Sequence, residues 1–216
     1  VSPEDDIEFR QVELRNLGDQ PLEIELVSAF EITLSDARAD EAHPAFTNLF
    51  VRAQWQAEDQ ALVFERSPRL PTEQALQAAH FLVDTDPQVL GLRIQTDRQH
   101  WLGRNRNTSQ PLAHMVAPPA PGSSTALDTG LDPVCAMAVR LRIAPHGKAR
   151  LTFATAASDN ADTLQAVVDK YRQHSHVKRS WLMSATLAGI RLRTWGLAPD
   201  NLLAIQNLTS ALALSL

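Results

Sequence analysis

The sequence predicts a mainly β fold, a large antiparallel β-sandwich, that gives way to α-helices in its last quarter. Apolar and polar residues alternate through a series of segments in the first two-thirds of the chain. Turn-forming Asn, Gly and Pro clusters separate those segments. Near residue 158 the apolar spacing changes from two to three-and-four. Period two is the signature of a strand with one buried face, and period 3.6 that of an amphipathic helix.

The first strand is expected at 7–14, before the turn Asn16-Leu17-Gly18-Asp19-Gln20-Pro21. In the second, 22–34, Leu22, Ile24, Leu26, Phe30, Ile32 and Leu34 hold the even positions, and only Ser28 interrupts them. Glu23, Glu25, Glu31 and Thr33 lie between, so one face is buried and the other largely wet. With the turn before it, this strand should form an antiparallel hairpin with the first. Further strands are expected near 49–57, 61–66, 77–83 and 90–96. Two more, at 134–143 and 149–156, are joined by the turn Pro145-His146-Gly147. A strand as long as 22–34 suggests a large, curved sandwich rather than an immunoglobulin-sized one.

Two long loops interrupt the strands. One, 36–47, is polar and ends in His-Pro-Ala-Phe. The other, 104–132, carries Pro111, Pro118, Pro119, Pro121 and Gly122. Loops beyond about 12–15 residues are usually functional or disordered. The second is expected to combine a site rim with a flexible link. From Ser158 onward, Leu164, Val167, Val168 and Tyr171 form one helical stripe, with Ser158, Asp159 or Asn160 as its cap. A second helix is expected at about 176–195, with Val177, Trp181, Ala185, Ala188, Leu192 and Trp195 on one side and Gly196 ending it. A third begins at Pro199. The division expected is 1–157 for the sandwich and 158–216 for linker helices. Because an apolar helical pattern runs to the last residue, the chain is expected to be a piece of a larger protein.

The 216 residues carry a formal net charge of −5 and are 44% hydrophobic, ordinary for a protein with a core. Acidic charge argues against a nucleic-acid partner. The one cysteine, Cys135, sits in an alternating apolar run and reads as a small buried hydrophobe rather than a nucleophile. No apolar run reaches the roughly 20 residues of a membrane helix. The seven histidines lack a metal-ligand pattern: His174 and His176, two apart, do not share a helix face. No metal and no cofactor is expected. Walker, Rossmann and Gly-x-Ser-x-Gly patterns are absent.

The segment that stands out is 95–106, QTDRQHWLGRNR. Arg98, Arg104 and Arg106 crowd into nine positions of an acidic chain, with Asp97, Trp101 and Gly103 among them. Guanidiniums grip phosphate or hydroxyl groups in bidentate fashion. A Trp face stacks on a sugar ring, and Gly103 permits positive φ or a close ligand approach. The competing reading is a surface hairpin end whose arginines pair with carboxylates such as Asp97. His43 is read as bonded within its own loop, and His100 as exposed. On the second helix, Lys178, Arg179, Arg191 and Arg193 make a basic side. Its tryptophans are expected to pack against the sandwich or a neighbouring domain.

This segment resembles the TDR…(F/W)LGR signature of the β-sandwich domain in inverting glycoside phosphorylases, and most closely the phosphorylase-like region of cyclic β-1,2-glucan synthases. The resemblance continues through His43-Pro44-Ala45-Phe46-Thr47-Asn48-Leu49-Phe50, Arg66-Ser67-Pro68-Arg69, Leu131-Asp132-Pro133 and the strand 148–155, in the same order. It implies a galactose-mutarotase-like super-sandwich, then linker helices, then an (α/α)6 barrel that carries the catalytic aspartate beyond residue 216. The chain itself would then hold no catalytic residue. Asp97, Arg98, Trp101, Arg104 and Arg106 are the residues implied to contact substrate or a neighbouring domain. Two departures alter the loop: Trp101 stands where Phe is common, and Asn105 where Gly is frequent.

The partners implied are β-glucan and phosphate, the remaining domains of the parent chain, and a second copy in a homodimer. The parent would be a glucosyltransferase or phosphorylase of the bacterial inner membrane that makes or trims cyclic β-1,2-glucan, and this portion of it would be soluble. Two other readings stand beside it: a stand-alone carbohydrate-binding or dimerisation module, and part of a soluble β-1,2-oligoglucan phosphorylase.

Overall fold

The computed structural model describes residues 1–68, 73–83, 87–122 and 125–214. In chain order the strands are β1 (Ile7–Arg15), β2 (Leu22–Glu31), β3 (Val51–Gln56), β4 (Ala61–Arg66), β5 (Leu76–Leu82), β6 (Val89–Asp97), β7 (Ala126–Leu127), β8 (Pro133–Ile143) and β9 (Lys148–Ser158). The helices are α1 (Ala37–Ala42), α2 (Pro44–Asn48), α3 (Arg98–Leu102), α4 (Ala161–Tyr171), α5 (His174–Thr194) and α6 (Leu202–Leu214), the last preceded by a 3-10 turn at Pro199–Asn201. A six-stranded sheet runs β1-β9-β5-β4-β3-β7 and a three-stranded sheet runs β2-β8-β6. The strand pairs are antiparallel, as the alternation predicts.

Three apolar layers hold the sheets. The central one lies between them and joins Trp55, Leu62, Phe64, Leu151 and Phe153 to Cys135, Met137, Val139 and Leu141. A second fills the outer face of the larger sheet, where Phe81, Ala154 and Ala156 meet Leu164, Val168, Tyr171 and Val177. The third covers the outer face of the smaller sheet, with Trp101 and Met115 over Val134, Ala136 and Ala138. Strand β8 is therefore buried on both sides, which explains its nearly continuous apolar run. Cys135 is fully buried there, and burial pushes its thiol pKa well up, so it is an inert core residue as expected.

The first two strands are not a hairpin. Strand β1 pairs with β9 and β2 with β8, so the chain crosses from one sheet to the other at residues 16–21. The connection from β8 to β9 crosses back. Buried Asn16 ties the two crossings together. Its Nδ2 donates to the carbonyls of Gln20 (2.7 Å), Ala144 (3.0 Å) and Ile143 (3.2 Å), while Oδ1 accepts from Gly18 N. A turn signal in sequence specifies reversal, not which sheet the returning strand joins.

Strand β2 stops at Glu31, short of the predicted residue 34, and Leu34 has left-handed φ of 48°. Its even face packs on the central core as predicted, through Ile24, Leu26 and Phe30. Its odd face is less wet than expected, because Val27 and Ala29 contact the Trp101 layer. The polar loop 36–47 is instead mostly helical. Asp36 caps α1 by accepting from Arg38 N and Ala39 N, and Pro44 opens α2. The loop 104–132 is tethered by a bridge between Ile94 and Val116 and by the short strand β7.

Helix α4 follows its predicted stripe and is capped by Asn160, which accepts from Thr163 N. Tyr171 is fully buried, and its hydroxyl bonds Ser2 Oγ (2.9 Å) and Asp5 Oδ2 (2.7 Å). Lys170 Nζ reaches the same Asp5 oxygen at 2.7 Å, so the first residues are pinned to α4. Burial raises the Asp5 pKa, but the Lys170 and Tyr171 hydrogen bonds outweigh it and leave the carboxyl below its ordinary value. On α5, Val177 and Leu192 are buried as predicted, but Trp181 and Trp195 are 66% and 65% exposed. They therefore do not pack into the sandwich. Gly196, at φ 67°, ends the helix as expected. No helix among the described residues is long and apolar enough to cross a membrane.

Candidate functional site

The segment singled out by sequence forms the end of β6 and the short helix α3 over the outer face of the smaller sheet. A register shift between Gln95 and Asp97 redirects the strand end. Gln95 Oε1 accepts from the amides of Thr96 and Asp97, and its Nε2 donates to His114 O, which stabilises the irregular backbone.

Asp97 is 7% exposed and caps α3: its Oδ1 accepts from Gln99 N (2.8 Å) and His100 N (3.2 Å). Its Oδ2 lies 3.2 Å from His100 Nδ1. The carboxylate is thus held within the protein. Gly130 makes room for it; at φ 56°, a Cβ there would stand 2.5 Å from Asp97 Oδ2. Arg98 Nη1 donates to Asp132 Oδ2 at 3.0 Å, and Arg98 Nε lies 3.0 Å from Glu31 Oε1 without hydrogen-bond alignment. The fold thereby joins the Thr-Asp-Arg segment to Leu131-Asp132-Pro133. The arginine does pair with carboxylates, but with Asp132 and Glu31 rather than Asp97.

Trp101 is 8% exposed and belongs to the third core layer. Its indole Nε1 is buried with no acceptor among the described residues. Gly103 has φ 78°, and a Cβ there would stand 2.9 Å from Leu112 Cβ, so its close approach is to the protein's own chain. That contact, with Leu112 N bonded to Leu102 O and Ala113 N to Trp101 O, closes the loop 103–112. Arg104 and Arg106 project from it, exposed and without an ion-pair partner among the described residues. Asn105 between them has φ 59°, which Asn tolerates and which fits a position where Gly is frequent. Asn107 Oδ1 accepts from Ser109 N and Gln110 N, fixing the next turn.

Beside α3 lies a cleft of ≈ 310 Å³ lined by Thr96, His100, His114, Val116, Leu127 and Asp128. His114 was not legible as a site residue: it reaches the cleft because Val116 bridges to Ile94, a pairing without periodic signal. His43 caps α1 and starts α2 through its backbone, and its ring meets Phe46 edge-on at 6.3 Å. Arg66 pairs with Glu73 at 3.3 Å. Arg69, of the same sequence segment, lies outside the described residues. Among the described residues no group of three His, Cys, Asp or Glu is placed to hold a metal ion.

The model of the glycosyl hydrolase 94 supersandwich domain matches residues 1–174. The chain is also similar to the cyclic beta-(1,2)-glucan synthase NdvB of Rhizobium meliloti (strain 1021), with 25% identity over 210 residues. That alignment covers 96% of this chain and 7% of the relative, so the chain spans only a small part of that protein's length. The matched span contains both sheets and α4, and on it the chain belongs to the supersandwich domain family of glycosyl hydrolase 94.

Proposed function

We propose that the chain is the non-catalytic sandwich and linker portion, divided near residue 158, of a membrane-associated glucosyltransferase or phosphorylase that makes or trims cyclic β-1,2-glucan. The observation that carries a direct role in substrate contact is the pair Arg104 and Arg106. They are exposed, free of ion pairs among the described residues, and presented by a loop whose base is fixed. Unpaired guanidiniums on a preorganised loop suit phosphate or the hydroxyls of a glucan. In phosphorolysis, phosphate attacks the anomeric carbon while one general acid protonates the departing glycosidic oxygen. The general acid belongs outside residues 1–216, and this chain's share is to orient the sugar and the anion. Asp97, Arg98 and Trp101 act through the loop in this reading: the first two are engaged in its internal bonds and the third is its apolar anchor.

Trp181 on α5, Trp195 just after it, and Leu203 and Leu208 on α6 are large apolar side chains left exposed. Remaining domains of the longer enzyme, or a second copy, would cover them. Calorimetric titration with linear β-1,2-gluco-oligosaccharides, with and without phosphate, tests the proposal. Saturable binding weakened about tenfold in Arg104→Ala/Arg106→Ala is expected, a loss of about 1.4 kcal/mol. Binding unchanged by that double substitution would overturn the role given to the loop.

A further inference from the structure

A second groove, of ≈ 530 Å³, lies where the end of β3 and the β3–β4 turn meet α4 and the loop before β7. Its polar lining is Gln54, Gln56, Glu58, Asp59, Thr125 and Gln165, and it shares no residue with the cleft beside His100. We infer that this groove is an accessory binding site for a neutral polyhydroxylated ligand, a stretch of glucan chain, separate from the Arg104–Arg106 loop. The choice of glucan as the ligand rests on the function proposed above.

Several contacts hold the walls in place. Gln165 Nε2 donates to Asp59 Oδ2 at 2.7 Å and to Asp169 Oδ1 at 3.1 Å. Arg172 Nη1 donates to Glu58 O at 3.3 Å, and Trp55 N donates to Thr125 O at 2.8 Å. Segments far apart in sequence are thereby fixed around one opening, so binding need not order them. The volume falls in the range of about 300–1,000 Å³ common for small-ligand sites.

The lining selects the ligand class. Two carboxylates and no Lys or Arg among the described lining residues make the groove unfavourable to phosphate, sugar phosphates or nucleic acid. Glutamine amides donate and accept, and carboxylates accept, which matches the alternating donors and acceptors of vicinal hydroxyls. Gln56 Oε1 adds a specific demand. It is buried and has no donor among the described residues, and a buried acceptor in this state calls for a partner. With no accessible surface, it meets a ligand hydroxyl only once the Gln56 side chain turns toward the groove.

The test is a heteronuclear NMR titration of the 216-residue chain with a linear β-1,2-gluco-oligosaccharide. Saturable shifts are expected at the side-chain amides of Gln54, Gln56 and Gln165 and at the backbone amide of Gly122. Gln54→Ala should raise the Kd at these signals at least tenfold without moving those of residues 103–107. Gln165→Ala gives the second measurement, its fold checked by the unchanged dispersion of the remaining spectrum. Shifts confined to residues 103–107 would overturn the accessory site and leave the function proposed for the loop standing. Shifts confined to the groove would support this site and count against the loop. No shift at either place would sink both.

Discussion

Acidification should weaken the fold through a single buried imidazole. His80 projects from β5 into the layer between the sheets, 2% exposed. It stacks on Phe153 at 5.7 Å, meets Phe30 edge-on at 5.1 Å and shares a hydrogen bond with Thr155 Oγ1. Its Nε2 is buried without a partner among the described residues. Burial, helped by the charge of Arg10, lowers its pKa from 6.5 to about 4. The unfolded chain therefore takes up a proton at a pH where the folded chain refuses it. Stability is full above pH 6.5 and falls as pH drops toward 4. The difference of about 2.5 pKa units sets a ceiling on the order of 3 kcal/mol, of which ~2 kcal/mol is lost by pH 5.

For a chain of this size, that loss lowers Tm by about 4–8 °C between pH 7.5 and 5. Glu13, held at about 2 by its hydrogen bonds to Arg150 and Arg15, and the lowered Asp5 contribute mainly below this window. The assay is urea unfolding followed by tryptophan fluorescence across the window, in the native chain and in His80→Leu. The substitution lowers stability at neutral pH, because it removes the Thr155 bond, but it should flatten the pH slope. An equal slope in both proteins would refute the reasoning.

Three further outcomes follow from the site and its supports. Trp101→Ala should cost about 3–5 kcal/mol in chemical denaturation because it empties the third apolar layer, whereas Arg104→Ala should stay within about 0.5 kcal/mol. Asn16→Ala should destabilise the chain by about 2–3 kcal/mol, read from the urea midpoint, because it leaves the Ile143 and Ala144 carbonyls and the Gly18 amide short of their partner. Gly130→Ala should destabilise by about 1–3 kcal/mol through its positive φ and its clash with Asp97; adding Asp97→Ala should cost less than the sum of the two single changes, a non-additivity that a double-mutant cycle measures.

The sequence revealed more of the fold than of the site. Alternation in β2 and β8, the stripe and cap of α4, and Gly196 after α5 act locally, so each could be read where it stands. The sheet assignment of β1 and β2 could not, because Asn16 makes its decisive bonds to residues 143 and 144. Two short helices escaped notice in 36–47, where a polar cap and one proline outweigh the absence of an apolar stripe. At the site, the arginine cluster was visible, but the roles within it were not. Trp101 looked like a stacking platform because nothing local announces Met115 closing over it. Asp97 and Arg98 looked like ligand contacts until their partners at His100 and Asp132 came into place.

The pairing order of the strands has a consequence for how the protein comes into being. Strands β1, β2 and β6 each depend on β8 or β9 for their partner, and among the described residues these two follow all the other strands in sequence. Until residues 133–158 have been synthesised, only β3, β4, β5 and the short β7 can pair, and the earliest strands wait for neighbours more than a hundred residues away. Loop closure on that scale is slow, and half-made sheets expose apolar faces. A chain that has not yet released β9 stays open and adhesive, whereas one that has released β9 and α4 can close its sandwich.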